Sequence, residues 1–180
     1  AIGEWTRDKL CRYALYTRTG ELILWDFGSA AVHHRLYCPW LKPENCIASY
    51  TTMRGAAPPA SGLTARQVAE IKDRLKTAGL TSEPVGVDLA EVPTFFELQK
   101  QQIDIRDGQQ VMLDAREIKS KDEIALLSTA AAMVDGTYQD IAEALKPGIR
   151  ENEIVALANK RLYEMGSDDV ESVNAVSGER

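Results

Sequence analysis

Between Ser120 and Leu145 the apolar residues Ile124, Leu127, Ala131, Val134, Tyr138, Ile141 and Leu145 recur at intervals of 3, 4, 3, 4, 3 and 4. One face of an α-helix satisfies that rhythm and a strand does not. Ser120 and Glu123 stand at capping-box spacing, so the helix has a defined start. Pro147-Gly148 ends it, because proline brings no amide donor and glycine enters the left-handed region freely. A second helix is predicted over Glu151 to Met165, with Ile154, Leu157, Leu162 and Met165 inward and Gly166 as its stop. The stripe lasts little over three heptads and alanines line its middle, so the expectation is one helix laid on a sheet by that face rather than a coiled coil. Val170 to Val176, with Val173 and Val176 alternating, reads as a strand.

Upstream the pattern is different. Arg12 to Thr17 and Leu22 to Trp25, separated by Thr19-Gly20, predict a β-hairpin with a short glycine-containing loop. Ser29 can cap a helix running to Tyr37, which Pro39 and Pro43 would stop. Gly55 to Gly62, with Pro58-Pro59, reads as a loop. A helix follows from Leu63, with Thr64 and Gln67 at capping-box spacing, Val68, Ile71 and Leu75 as its buried stripe, and Gly79 at the C-terminal cap. Pro84 to Val87 predicts a strand, Pro93 opens a helix carrying Phe95, Phe96 and Leu98, and Gln102 to Ile105 predicts a strand before an Asp107-Gly108 turn. Alternation of strand and helix is the mark of an α/β domain. Residues 1–115 hold 13 basic and 14 acidic side chains and residues 116–180 hold 8 and 13, so charge changes where the pattern changes. The division expected is an α/β domain over 1–115 and a second domain over 116–180.

Composition narrows the function classes. The 180 residues are 44% hydrophobic and 27% charged with a formal net charge of -6. The acidic excess leaves no broad basic face for phosphate backbones, which argues against nucleic acid as a partner. Apolar runs such as Ala130 to Val134 are far shorter than the ~20 residues a bilayer helix needs, and Ala1 to Leu10 carries too many charges for a signal peptide. Cys11, Cys38 and Cys46 cannot all pair within one chain and form no Cys-x-x-Cys motif, which points to packing thiols in a reducing, cytoplasmic compartment. The chain starts at Ala1 and stops at Ser177-Gly178-Glu179-Arg180, directly after a predicted strand. The expectation is an internal piece of a longer protein.

No complete site is legible. His33 and His34 are adjacent, so they point about 100° apart on a helix and cannot grip one metal; surface or interdomain roles are expected. Asp122-Glu123, Glu151 with Glu153, and Asp168-Asp169 with Glu171 lie near helix ends, where exposed amides favour carboxylates. Trp25 falls in the hairpin and reads as core. Trp5 and Trp40 lie outside regular elements and could offer aromatic faces to a cationic ligand or to a subunit interface. On the residues alone, a structural or interaction module fits as well as an enzyme.

Several segments do resemble a known family. Arg116 to Ile124, the Ala-rich helix, Lys146-Pro147-Gly148-Ile149-Arg150-Glu151-Asn152-Glu153-Ile154, the second helix ending Met165-Gly166, and Val176-Ser177-Gly178 are similar in order and spacing to the start of the "pita-bread" domain of the creatinase and Xaa-Pro aminopeptidase family. Residues 1–115 resemble the creatinase-type N-terminal domain, including Gly20 to Gly28. Ser172 to Arg180 and Ile23 to His34 are similar to the dimethylsulfoniopropionate lyases within that family. The resemblance implies an α/β N-terminal domain followed by the first helices of an α+β catalytic domain. It also implies a homodimer in which Trp5 and Trp40 approach the partner's site, and a divalent metal, iron in the lyases. The implied ligand set, Asp, Asp, His, Glu and Glu, and the catalytic base fall after Arg180, so neither metal ligands nor catalytic residues are expected in this chain. The reaction implied is β-elimination from a small sulfonium substrate to dimethyl sulfide and acrylate. The alternatives are hydrolysis of X-Pro bonds and a non-catalytic dimerisation module.

Overall fold

The computed structural model describes residues 12–28, 30–50 and 57–178. It divides into two compact units, Ala1–Arg116 and Glu117–Arg180. Trp5, Cys11 and Ser29 lie outside the described residues.

The first unit is mixed α/β. Strands β1 (Tyr13–Tyr16) and β2 (Leu22–Phe27) pair antiparallel, with Tyr13 opposite Trp25. The predicted hairpin is present: Gly20 takes φ +83° in its loop and the Thr17 N–H donates to the Glu21 carbonyl. Helix α1 (Ala30–Tyr37) then crosses over to β3 (Cys46–Ser49), which lies parallel to β2 with Leu24 opposite Cys46. This β2-α1-β3 crossover encloses one apolar cluster of Leu24, Cys38, Leu41 and Cys46. Asn45, buried just before β3, donates to the Leu22 carbonyl at 2.9 Å and so ties the crossover back to β2.

A second cluster gathers Val68 and Leu75 of α2 (Leu63–Thr77), Leu98 of α3 (Val92–Lys100), and Ile103. Each apolar side chain buried this completely stabilises by about 1.5–3 kcal/mol. Strands β4 (Val85–Val87) and β5 (Ile105–Asp107) form a parallel pair whose Val85, Val87 and Ile105 pack on that cluster. Gly79, at φ +72°, closes α2 as expected, and the Leu80 N–H reaches back to the Leu75 carbonyl at 2.8 Å.

Two local expectations for this unit need correction, the Thr64–Gln67 capping box and the strand over 102–105. The Thr64 and Gln67 capping box does not form, because α2 begins at Leu63 with Gly62 as its N-cap and Gln67 is buried and bonded elsewhere. Phe95 and Phe96 face outward, at 41% and 62% exposure, while Leu98 and Thr94 of the same helix turn inward. The strand expected over 102–105 starts later, because Gln102 adopts a left-handed φ of 61° and directs the chain into β5 only at Ile105. The Asp107-Gly108 turn leads straight into helix α4 (Gln109–Glu117), whose first amide, Gln109 N–H, donates to the Asp107 carboxylate at 2.8 Å. None of its residues is buried and Val111, Met112 and Leu113 are consecutive, so no periodic stripe announced it.

The second unit is two helices and an extended tail. Helix α5 (Lys121–Ala144) opens with the predicted capping box: Glu123 N–H donates to Ser120 Oγ and Ser120 N–H to the Glu123 carboxylate. Helix α6 (Glu151–Glu164) packs against it. The packed face of α5 is Met133, Gly136, Thr137, Asp140, Ile141 and Ala144, about a third of a turn away from the predicted stripe. Ile124, Leu127, Val134 and Tyr138 are therefore 43–67% exposed, and among the described residues of this unit there is no sheet to cover them. Residues 170–177 carry no regular structure, which corrects the predicted strand. A strand needs a neighbour to take its amides and carbonyls, and among the described residues of this unit there is none.

Gly108 provides a test of how tightly the β4–β5 pair is seated. A Cβ there would lie 2.9 Å from both Gly86 C and Val87 N, backbone atoms that cannot swing aside. Gly108→Ala should lower stability by about 1–3 kcal/mol, read as a fall in the urea midpoint at constant slope. Gly86→Ala, whose Cβ would meet only the Gly108 Cα at 3.5 Å, should cost less.

Candidate functional site

Within the first unit the densest cluster of buried charge centres on Asp26. The residue sits in the run Leu22-Ile23-Leu24-Trp25-Asp26-Phe27, and its side chain is fully buried. Arg12, just before β1, donates from Nε to Asp26 Oδ2 at 2.9 Å, and His34 of α1 approaches the same oxygen through Nε2 at 2.5 Å. His34 is 2% exposed, so the surface or interdomain role expected for it is incorrect. One face of α1 buries Ala30, Ala31 and His34 over β2, and the spacing of His34 from Ala30 and Ala31 places all three on that face. His33 points elsewhere and stacks at 4.3 Å on Tyr37.

A second polar group joins the end of β3 to α2. Gln67 Oε1 accepts from Ser49 Oγ at 2.9 Å and from the Tyr50 N–H at 3.2 Å, and Arg66 lies 4.5 Å from the centre of the Tyr50 ring. Cys38 and Cys46 are both buried and unpaired, and burial pushes the Cys46 thiol up from its ordinary value. That suits the packing role expected of them. Trp25 is wholly buried, as expected of a core residue, whereas Trp40 is 62% exposed.

The acidic residues of the second unit are spread among separate partners. The Ser120 amide, and then its hydroxyl, hold the Glu123 carboxyl below its ordinary value. Glu153 accepts from the Arg150 N–H at 2.9 Å and from Arg150 Nε at 3.3 Å. Arg161 bridges Asp140 of α5 and Glu164 of its own helix, at 2.5 and 2.9 Å. Glu151 accepts from both the N–H and the hydroxyl of Ser177. Among the described residues no group of three or more His, Cys, Asp or Glu side chains comes together in a way that could hold a metal ion. The divalent metal implied by the family resemblance therefore has no fitting ligand set among these residues.

Sequence reasoning missed Asp26, Arg12 and the Glu151 to Ser177 contact. Asp26 did leave a signal, since a carboxylate inside an otherwise apolar strand needs a buried cationic partner. Glu151 left none, because a carboxylate at a helix start is already explained by the helix itself.

Comparison with protein-family models and with curated proteins finds no match to the sequence. Among solved structures the chain is similar to an Xaa-Pro dipeptidase from Bacillus anthracis, with a TM-score of 0.59 over 88% of this chain at 16% identity. The chain spans 40% of that dipeptidase's length. At this identity the likeness is one of fold, a mixed α/β arrangement of the kind found in pita-bread peptidases.

The buried cluster has a measurable consequence. Asp26→Ala would remove the acceptor that Arg12 and His34 share. Removing one partner of a buried charge pair costs about 3–5 kcal/mol, and chemical denaturation followed by tryptophan fluorescence should show a loss of that order.

Proposed function

We propose that this chain forms part of a metal-dependent enzyme of the Xaa-Pro dipeptidase type, one that hydrolyses the bond before proline in a small peptide. The observation that carries this reading is the fold likeness to a solved Xaa-Pro dipeptidase over 88% of the chain. The order of segments from Arg116 to Gly178 supports it independently, since the capped α5, the Pro147-Gly148 break and the acid-rich start of α6 resemble the same family. The described residues offer no metal site, so the chain's part in the reaction is to build the framework around a centre that other residues supply.

A second reading has its own support. Ser172 to Arg180 and the stretch from Ile23 to His34 are similar to dimethylsulfoniopropionate lyases, which use iron and act as homodimers in the cytoplasm. In that case the substrate is a small sulfonium zwitterion, and the exposed Trp40, with Trp5, would offer an aromatic face to its cationic sulfur across a dimer.

Paired assays on the natural protein that carries this chain separate the two readings. Supplied with Mn²⁺, Zn²⁺ or Fe²⁺, it should hydrolyse X-Pro dipeptides and release no dimethyl sulfide. Dimethyl sulfide release without peptide hydrolysis would overturn the peptidase reading in favour of the lyase, and a Trp40→Ala variant with a raised Michaelis constant would then place that residue at the substrate. Absence of both activities, with stable self-association, would leave a non-catalytic dimerisation module.

A further inference from the structure

We infer that Glu151 is a positioning residue that clamps the far end of a strap formed by residues 167–177. The strap leaves α6 at its C-terminus, where Gly166 takes φ +97° and the Ser167 N–H turns back to the Leu162 carbonyl. Its near end is secured there: Ser167 Oγ donates to the Asp169 carbonyl at 2.7 Å, Tyr163 OH reaches the Asp169 carboxylate at 3.4 Å, and Val170 is buried. Its far end lands beside the first turn of the same helix. There Glu151 Oε1 accepts the Ser177 N–H at 2.7 Å and the Ser177 hydroxyl at 3.0 Å.

Chain length does not hold the strap in place. Helix α6 has 14 residues, which at 1.5 Å each is about 21 Å. The ten residue steps from Ser167 to Ser177 could reach about 33 Å or more. With that much slack, and with no regular structure over 170–177, the place of Ser177 is set by what it is bonded to rather than by the length of the segment. An ionised carboxylate taking two donors from one residue makes the stronger kind of hydrogen bond, and it fixes both the position and the orientation of Ser177. Gly178, at φ +80°, then turns the chain immediately beyond the clamp. This inference does not depend on which reaction the protein carries out.

Amide hydrogen exchange on the 180-residue chain tests it, with circular dichroism to verify that α5 and α6 persist. Glu151→Ala should speed exchange at the Ser177 amide by about tenfold, while Ser167 and the interior of α6 keep their wild-type rates. Glu151→Gln, which retains a carbonyl acceptor, should restore most of the protection. Ser177→Ala, which removes the hydroxyl donor and leaves the amide, should fall between the two. Unchanged Ser177 exchange in Glu151→Ala would overturn the clamp. Equal loss of protection throughout α6 would also overturn it, since Glu151 would then be acting on the helix rather than on the strap.

Discussion

A carboxylate placed in the middle of an apolar strand is the constraint around which the first unit is arranged. Asp26 cannot be buried alone, because an isolated charge in a low-dielectric interior is far too costly. It must draw polar partners to itself from elsewhere in the chain. Arg12 comes from before β1 and His34 from α1, so one oxygen joins the hairpin to the crossover helix. Once α1 is held over β2 by His34, Cys38 and Leu41 fall against Leu24 and Cys46, and β3 lies parallel alongside. The face of α1 that turns inward is the one carrying Ala30, Ala31 and His34.

The second unit follows a different rule, in which packing and local hydrogen bonding settle separate questions. Where α5 begins is set by the reciprocal bonds of Ser120 and Glu123. The face it presents to α6 carries Met133, Gly136, Thr137, Asp140, Ile141 and Ala144, with Thr137 buried and room at Gly136 for ordinary contact with Met165 Sδ at 3.7 Å. Arg161 and Asp140 then pin the register between the helices. This leaves the larger apolar residues Ile124, Leu127 and Val134 on an outer face.

What was legible in the sequence were features whose causes are local. The hairpin around Gly20, the glycine stop at Gly79, the Pro93 start of α3 and the capping box of α5 each need only neighbouring residues, and all are present. Features that depend on distant partners were read less well. Gln67 looked like half of a capping box, but its buried side chain serves Ser49 and Tyr50 instead. Hydrophobic periodicity showed that α5 is a helix and could not say which of its faces meets α6, since that face includes Asp140, whose partner Arg161 lies 21 residues away. Val170 to Val176 has the alternation of a strand but no neighbour among the described residues, and alternation alone does not supply hydrogen-bond partners.

The chain resembles part of a dipeptidase fold, and among its described residues Glu123, Glu153, Asp140, Glu164 and Glu151 are each engaged in a cap, an ion pair or the contact with Ser177. On the proposed reading, the described residues build framework around a metal centre that other residues hold. Calorimetric titration of the 180-residue chain with Mn²⁺, Zn²⁺ and Fe²⁺ under anaerobic conditions tests it most directly. The account predicts no saturable, stoichiometric binding of any of the three ions. A single tight site that disappears when Glu151, Glu153 or Asp169 is replaced by alanine would contradict it.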